Sequence, residues 1–136
     1  MGPSISEKQL QKVMSYVEIG KQEGATVATG GHRLTAGAHA NGFFHEPTIF
    51  TGVTNDMRIA REEVFGPVLS VIKFKTDEEA VALANDTPFG LAAGVWTTNL
   101  ARAHTMPSRL RAGTVWVNAY RVVSYLAPFG GFKDSG

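Results

Sequence analysis

The chain contains no cysteine. Disulfides, thiolate metal sites and thiol nucleophiles are therefore excluded from it. It also lacks any block of like charge: 13 basic residues stand against 12 acidic ones, for a net charge of +1. Nothing in that balance calls for nucleic acid or an anionic membrane surface. The one basic cluster, Arg102, His104, Arg109 and Arg111, has no interleaved aromatics and reads as a solvated helix face. No apolar run approaches the roughly twenty residues of a membrane helix. Residues 1–8 lack both the basic start and the apolar core of a signal peptide. The expectation is a soluble, cytoplasmic protein with neither nucleic acid nor membrane as partner. Several catalytic signatures are missing too: no Gly-x-Gly-x-x-Gly ahead of a helix, no Walker loop and no His-Glu-x-x-His. Ser135 sits in Lys-Asp-Ser-Gly without the strand-to-helix elbow of a serine nucleophile. His32, His39 and His45 match no compact metal-ligand spacing, and they are read as loop histidines.

What remains is a globular chain. At 136 residues it has the length of one modest domain, and 43% hydrophobic against 18% charged residues is the balance of a packed core. Ser4 with Glu7, or Ser6 with Gln9, offers a capping box. Leu10, Val13, Met14 and Val17 then recur as one helical stripe, with Gly24 or Gly20 as the stop. Residues 25–29 read as a strand closed by Gly30 and Gly31, and residues 31–42 as a polar loop or the turn of a hairpin. A strand entered through Pro47 follows. Residues 68–74 are almost continuously apolar, the pattern of a strand covered on both faces. Thr76 caps a second long helix, residues 91–96 form a strand, and Asn99 starts a helix that Pro107 is expected to kink and Gly113 to stop. Residues 114–118 give a further strand, ahead of a glycine-rich tail. This alternation predicts an α/β fold, a layered and largely parallel sheet flanked by helices.

The stretch Arg61-Glu62-Glu63-Val64-Phe65-Gly66-Pro67-Val68 is the most suggestive in the chain. Two carboxylates, an aromatic ring and a Gly-Pro corner lie at the mouth of a strand, where α/β folds place ligands. Neighbouring residues point apart, so one carboxylate is expected to be solvated and the other is the functional candidate.

Several blocks occur in a characteristic order: Gly2-Pro3-x-Ile5-Ser6, Glu46-Pro47-Thr48-Ile49-Phe50, Glu62 to Val68, and Pro88-Phe89-Gly90-Leu91-Ala92-Ala93-Gly94-Val95. They are followed by Ala112-Gly113-Thr114-Val115-Trp116-Val117-Asn118 and Pro128-Phe129-Gly130-Gly131-Phe132-Lys133-x-Ser135-Gly136. In this collinear set the chain resembles the NAD(P)-dependent aldehyde dehydrogenase superfamily along essentially its whole length. The resemblance implies one partial catalytic domain over residues 1–136. It also implies a family chemistry in which an aldehyde is oxidised through a cysteine thiohemiacetal, with hydride passing to NAD or NADP. Carried over by position, Glu63 resembles the carboxylate that binds the ribose hydroxyls beside the nicotinamide. Phe65 resembles the ring that packs near the nicotinamide, with Gly66 and Pro67 setting the turn. Phe129 resembles a wall of the aldehyde tunnel, and Arg121 and Val123 fall in the loop that tunes substrate choice. Asn118 is expected to support that loop through backbone hydrogen bonds, and Glu62 to be structural or solvated.

The family's nucleophilic cysteine, its glutamate base and its Rossmann-type cofactor domain lie upstream of the first block in relatives, and both termini read as cut within motifs. The isolated chain is thus expected to be inactive and to bind no cofactor by itself. Surfaces covered in relatives are expected to favour a homo-oligomer. The competing expectation is a stand-alone protein acting as a non-enzymatic binding or assembly module.

Overall fold

Ser6, rather than Ser4, caps the first helix by accepting a hydrogen bond from Gln9 N at 3.2 Å, while the Gln9 side chain bonds elsewhere and does not close the capping box. In the computed structural model, which describes residues 1–136, this helix is α1, Glu7–Gln22. Leu10, Val13 and Val17 of the expected stripe are fully buried, joined by Tyr16 and Gly20. Gly20 lies inside the helix: a Cβ there would approach Ile59 Cδ1 at 3.0 Å and Phe50 at 3.1 Å. The stop is Gly24, which follows the cap residue Glu23 with a φ of +96°.

The chain forms two compact units, residues 1–73 and 74–136. In the first, β1 (Thr26–Thr29) pairs antiparallel with β2 (Thr48–Thr51), and β2 pairs parallel with β3 (Val68–Ser70). The loop joining β1 to β2 is a long hairpin connection, held by an Arg33–His45 bridge and a 3-10 turn over Gly37–His39. A short helix, α2 (Arg58–Arg61), precedes β3. The core gathers Val13, Tyr16, Val17, Ala25, Phe50, Val53, Ile59 and Val64, with Phe50 of β2 at its centre under α1 and α2.

The second unit contains α3 (Asp77–Asn85), β4 (Phe89–Gly90), β5 (Ala92–Val95), α4 (Leu100–Arg109), β6 (Thr114–Val117) and β7 (Phe132–Lys133). Thr76 and Asn99 cap their helices as expected, accepting from Glu79 N and Arg102 N. β5 and β6 run parallel across the α4 crossover, and β4 pairs antiparallel with β7 of the glycine-rich tail. Two basic residues of α4 are used locally: Arg102 binds Asp77 at 2.8 Å and Arg109 reaches Glu78 at 3.6 Å, tying α4 to α3. Pro107 lies in the last turn, and the helix runs on to Arg109.

The architecture is mixed α/β, with parallel and antiparallel ladders distributed over three small sheets. One expectation is corrected. Residues 68–74 are not one doubly covered strand: only three residues are strand, and Leu69 is 57% exposed. β3 pairs with β2 and joins no other strand. A run of apolar residues states that burial would be favourable but not which surface supplies it. No helix is long and apolar enough to cross a membrane.

Candidate functional site

The segment from Glu62 to Phe65 is held against one face of α1. Tyr16 donates its hydroxyl to Glu62 Oε2 at 2.6 Å, and the Arg58 guanidinium grips both Glu62 oxygens, at 2.7 and 3.0 Å. Lys12 Nζ donates to the Glu63 carbonyl at 3.0 Å, and Gln9 Nε2 donates to the carbonyls of Val64 at 3.3 Å and Phe65 at 2.8 Å. Val64 is buried in the core beneath. The Arg58 guanidinium also lies 5.7 Å from the centre of the Tyr16 ring.

Electrostatics follow this geometry. The hydrogen bonds from Arg58 and Tyr16 hold the Glu62 carboxyl at about 2, against an ordinary value of 4.5. The same carboxylate, with burial of the ring, pushes the Tyr16 hydroxyl upward. Glu62 is therefore a structural anion, as expected of one member of the carboxylate pair. Glu63 is exposed. Phe65 is 74% exposed and adopts a φ of +53°, a left-handed conformation that a bulky L residue resists. Gly66 passes so close to α1 that a Cβ would lie 2.4 Å from Val13 Cγ2, which is why the corner takes glycine. Pro67 then enters β3 with its carbonyl accepting from Thr48 N at 2.8 Å.

The remaining candidates lie in the second unit, on the irregular segment after β6. Asn118, at φ +51°, exchanges two side-chain hydrogen bonds with the backbone of Thr97: it accepts from Thr97 N at 2.8 Å and donates to Thr97 O at 2.9 Å. These are hydrogen bonds to backbone, as expected of Asn118, and they are made to the connection between β5 and α4. Trp116 Nε1 donates to Val122 O at 2.7 Å and its ring meets Tyr120 edge-on at 5.8 Å, tethering the start of the loop. Arg121 sits between these anchors at φ +57°. Arg121, Val123 and Phe129 are all exposed. Further on, Lys133 Nζ donates to the carbonyls of Asn85 and Thr87, closing the tail onto the end of α3.

The histidines go separate ways. His32 Nδ1 lies 3.1 Å from Glu46 Oε2, His39 packs edge-on against Phe44, and His45 is buried with neither ring nitrogen partnered. Burial pushes the His45 pKa down. No group of three or more His, Asp or Glu side chains is arranged to hold a metal.

Sequence reading named Gln9 only as a helix-capping residue and did not single out Lys12, Tyr16 or Arg58. The available signal was the i, i+3, i+7 spacing of Gln9, Lys12 and Tyr16, a polar ridge beside the apolar stripe of α1.

Comparison with known proteins agrees with this frame. The aldehyde dehydrogenase family model matches residues 1–136. A betaine aldehyde dehydrogenase of Mesorhizobium japonicum is 56% identical over 136 residues, which is 100% of this chain and 28% of that protein. The crystal structure of a betaine aldehyde dehydrogenase from Staphylococcus aureus in complex with NAD+ superposes with a TM-score of 0.95 at 44% identity, covering 98% of this chain and 27% of that one. An indole-3-acetaldehyde dehydrogenase from P. syringae, crystallised with NAD+ and IAA, gives 0.92 at 52% identity, over 98% of this chain and 26% of that one. The chain thus spans little more than a quarter of the relatives it matches. With its ordered motifs, its mixed α/β fold and these relatives in agreement, the chain belongs to the aldehyde dehydrogenase family.

Proposed function

We propose that the chain furnishes part of the catalytic domain of an NAD(P)-dependent aldehyde dehydrogenase, an oxidoreductase that converts an aldehyde to its acid. The observation that carries this reading is the presentation of Glu63 and Phe65: both are exposed on a segment whose carbonyls are fixed by Gln9 and Lys12. These residues fit a nicotinamide riboside. A carboxylate offers two acceptor oxygens to a ribose diol, and an exposed ring offers a face to a flat heterocycle. The cofactor, when bound, supplies the hydride acceptor. The chain's own contribution is to bind the ribose through Glu63 and limit the nicotinamide's positions with Phe65. Arg121, Val123 and Phe129 shape the path of the aldehyde.

With no cysteine in its sequence, the chain by itself supplies no thiol for the family's covalent step. As a separate polypeptide it is expected to show no NAD-linked aldehyde oxidation. Its affinity for NAD+ is expected to be too weak for calorimetry, because Glu63 and Phe65 would meet only the nicotinamide riboside half of the cofactor. Exposed Trp96, Leu100, Tyr125 and Leu126 favour self-association, so the reading includes a homo-oligomer.

The decisive experiment replaces the matching 136-residue segment of the Mesorhizobium enzyme with this chain and assays betaine aldehyde oxidation with NAD+. The chimera should turn over, and Glu63→Gln in it should raise the KM for NAD+. A folded but inactive chimera would overturn the proposal, as would turnover or micromolar NAD+ binding by a clean preparation of the chain alone.

A further inference from the structure

We propose that Tyr16 is a positioning residue for Glu63 and Phe65, acting through Glu62; the inference rests on the cofactor-binding reading of those two residues. Gln9, Lys12 and Tyr16 project from one face of α1 and meet four successive residues of the loop, Glu62 to Phe65. Three of these contacts are made to backbone carbonyls and hold the chain path. The fourth, from Tyr16, is made to a side chain and sets the orientation.

Glu62 is in extended backbone, with φ −106° and ψ 150°. Successive side chains of an extended backbone point to opposite sides. Tying the Glu62 carboxylate to α1 therefore directs Glu63 away from α1, where its carboxylate is exposed. Tyr16 is suited to this task because its ring belongs to the buried core while its hydroxyl reaches the surface carboxylate. The core's rigidity is thus transmitted to a loop that contains a left-handed Phe65. Arg58 adds a second hold on Glu62: it comes from α2, its guanidinium lies 5.7 Å from the centre of the Tyr16 ring, and its own path is fixed by the Arg58 N to Glu23 Oε2 hydrogen bond at 2.9 Å.

Two variants test the assignment. Tyr16→Phe removes one oxygen and keeps the ring in the core, and Glu62→Gln keeps the shape and removes the charge. In the 136-residue chain, backbone amide order parameters of residues 63–65 should fall in both variants from the rigid range, about 0.85, toward 0.6, while those of α1 stay unchanged. In the chimera, both variants should raise the KM for NAD+ about tenfold with kcat within about twofold, the pattern of lost cofactor binding. Inhibition by AMP, which probes only the adenine half of the cofactor, should not move. Wild-type order parameters in Tyr16→Phe, or equal weakening of AMP and NAD+, would overturn the proposal. An inactive parent chimera would instead count against the cofactor reading, and the order parameters would still decide whether Tyr16 positions the loop.

Discussion

Gly66→Ala is the most exacting test of how the candidate loop meets the first helix. A Cβ at residue 66 would lie 2.4 Å from Val13 Cγ2, 3.3 Å from Cγ1 and 3.4 Å from Cβ. Carbon atoms prefer about 3.5–4.0 Å, so the first of these is a hard overlap. Val13 is fully buried in the core cluster, and its branched side chain is held to one rotamer within a helix. Relief must come from moving the loop away from α1. Overpacking of this kind costs about 1–3 kcal/mol. Against it stands the gain of roughly 0.4–1 kcal/mol that Gly→Ala brings, where the backbone is not left-handed, by narrowing the unfolded ensemble. The net expectation is a loss of about 1–2 kcal/mol. Gly94→Ala is the control, because nothing lies within 4 Å of its built Cβ and its backbone is not left-handed. It should be neutral or slightly stabilising. Urea unfolding followed by far-UV circular dichroism measures both, with amide exchange of α1 locating the effect in the first unit. If Gly66→Ala were as stable as Gly94→Ala, the claimed contact between the corner and α1 would be refuted.

Three further outcomes follow from individual groups. Glu62 titrates at about 2 when folded and near 4.5 when free, so its contribution is complete above 4.5 and is lost as pH falls toward 2. An acid titration of wild type should therefore show a stability loss in that window which Glu62→Gln lacks. His45 has its folded pKa lowered from 6.5, so the unfolded chain takes up the proton first and stability should decline as pH falls below 6.5. His45→Leu should flatten that decline and, by removing unpartnered buried nitrogens, raise stability by about 1 kcal/mol in urea unfolding at pH 8. Asn118→Gly keeps the left-handed backbone and loses the two bonds to Thr97, whereas Asn118→Ala loses both advantages. Ala should unfold more easily than Gly by about 1 kcal/mol, measured by denaturant midpoint, and equal midpoints would remove the role given to the backbone angle.

Much of this protein was legible in the sequence because the signals are local. Ser6, Thr76 and Asn99 cap helices by reaching three residues ahead, and the spacing of Leu10, Val13 and Val17 defines a buried face without reference to any partner. The blocks around Glu63, Phe65, Asn118 and Phe129 are likewise contiguous, so their order along the chain was enough to mark the family. The tertiary structure alone decided what those blocks touch. Tyr16 meets Glu62 across 46 residues, Lys12 meets Glu63 across 51, and Gln9 reaches Val64 and Phe65 across 55 and 56. Nothing local in Gln-x-x-Lys-x-x-x-Tyr distinguishes such a ridge from a solvated helix face. The same holds for β3: its residues are apolar enough for a doubly covered strand, but its neighbour is β2 and Leu69 stays exposed. Hydrophobicity and capping act within a turn or a strand and are written in the sequence. Strand partners, and the carbonyls a side chain finds, depend on where the folded chain returns.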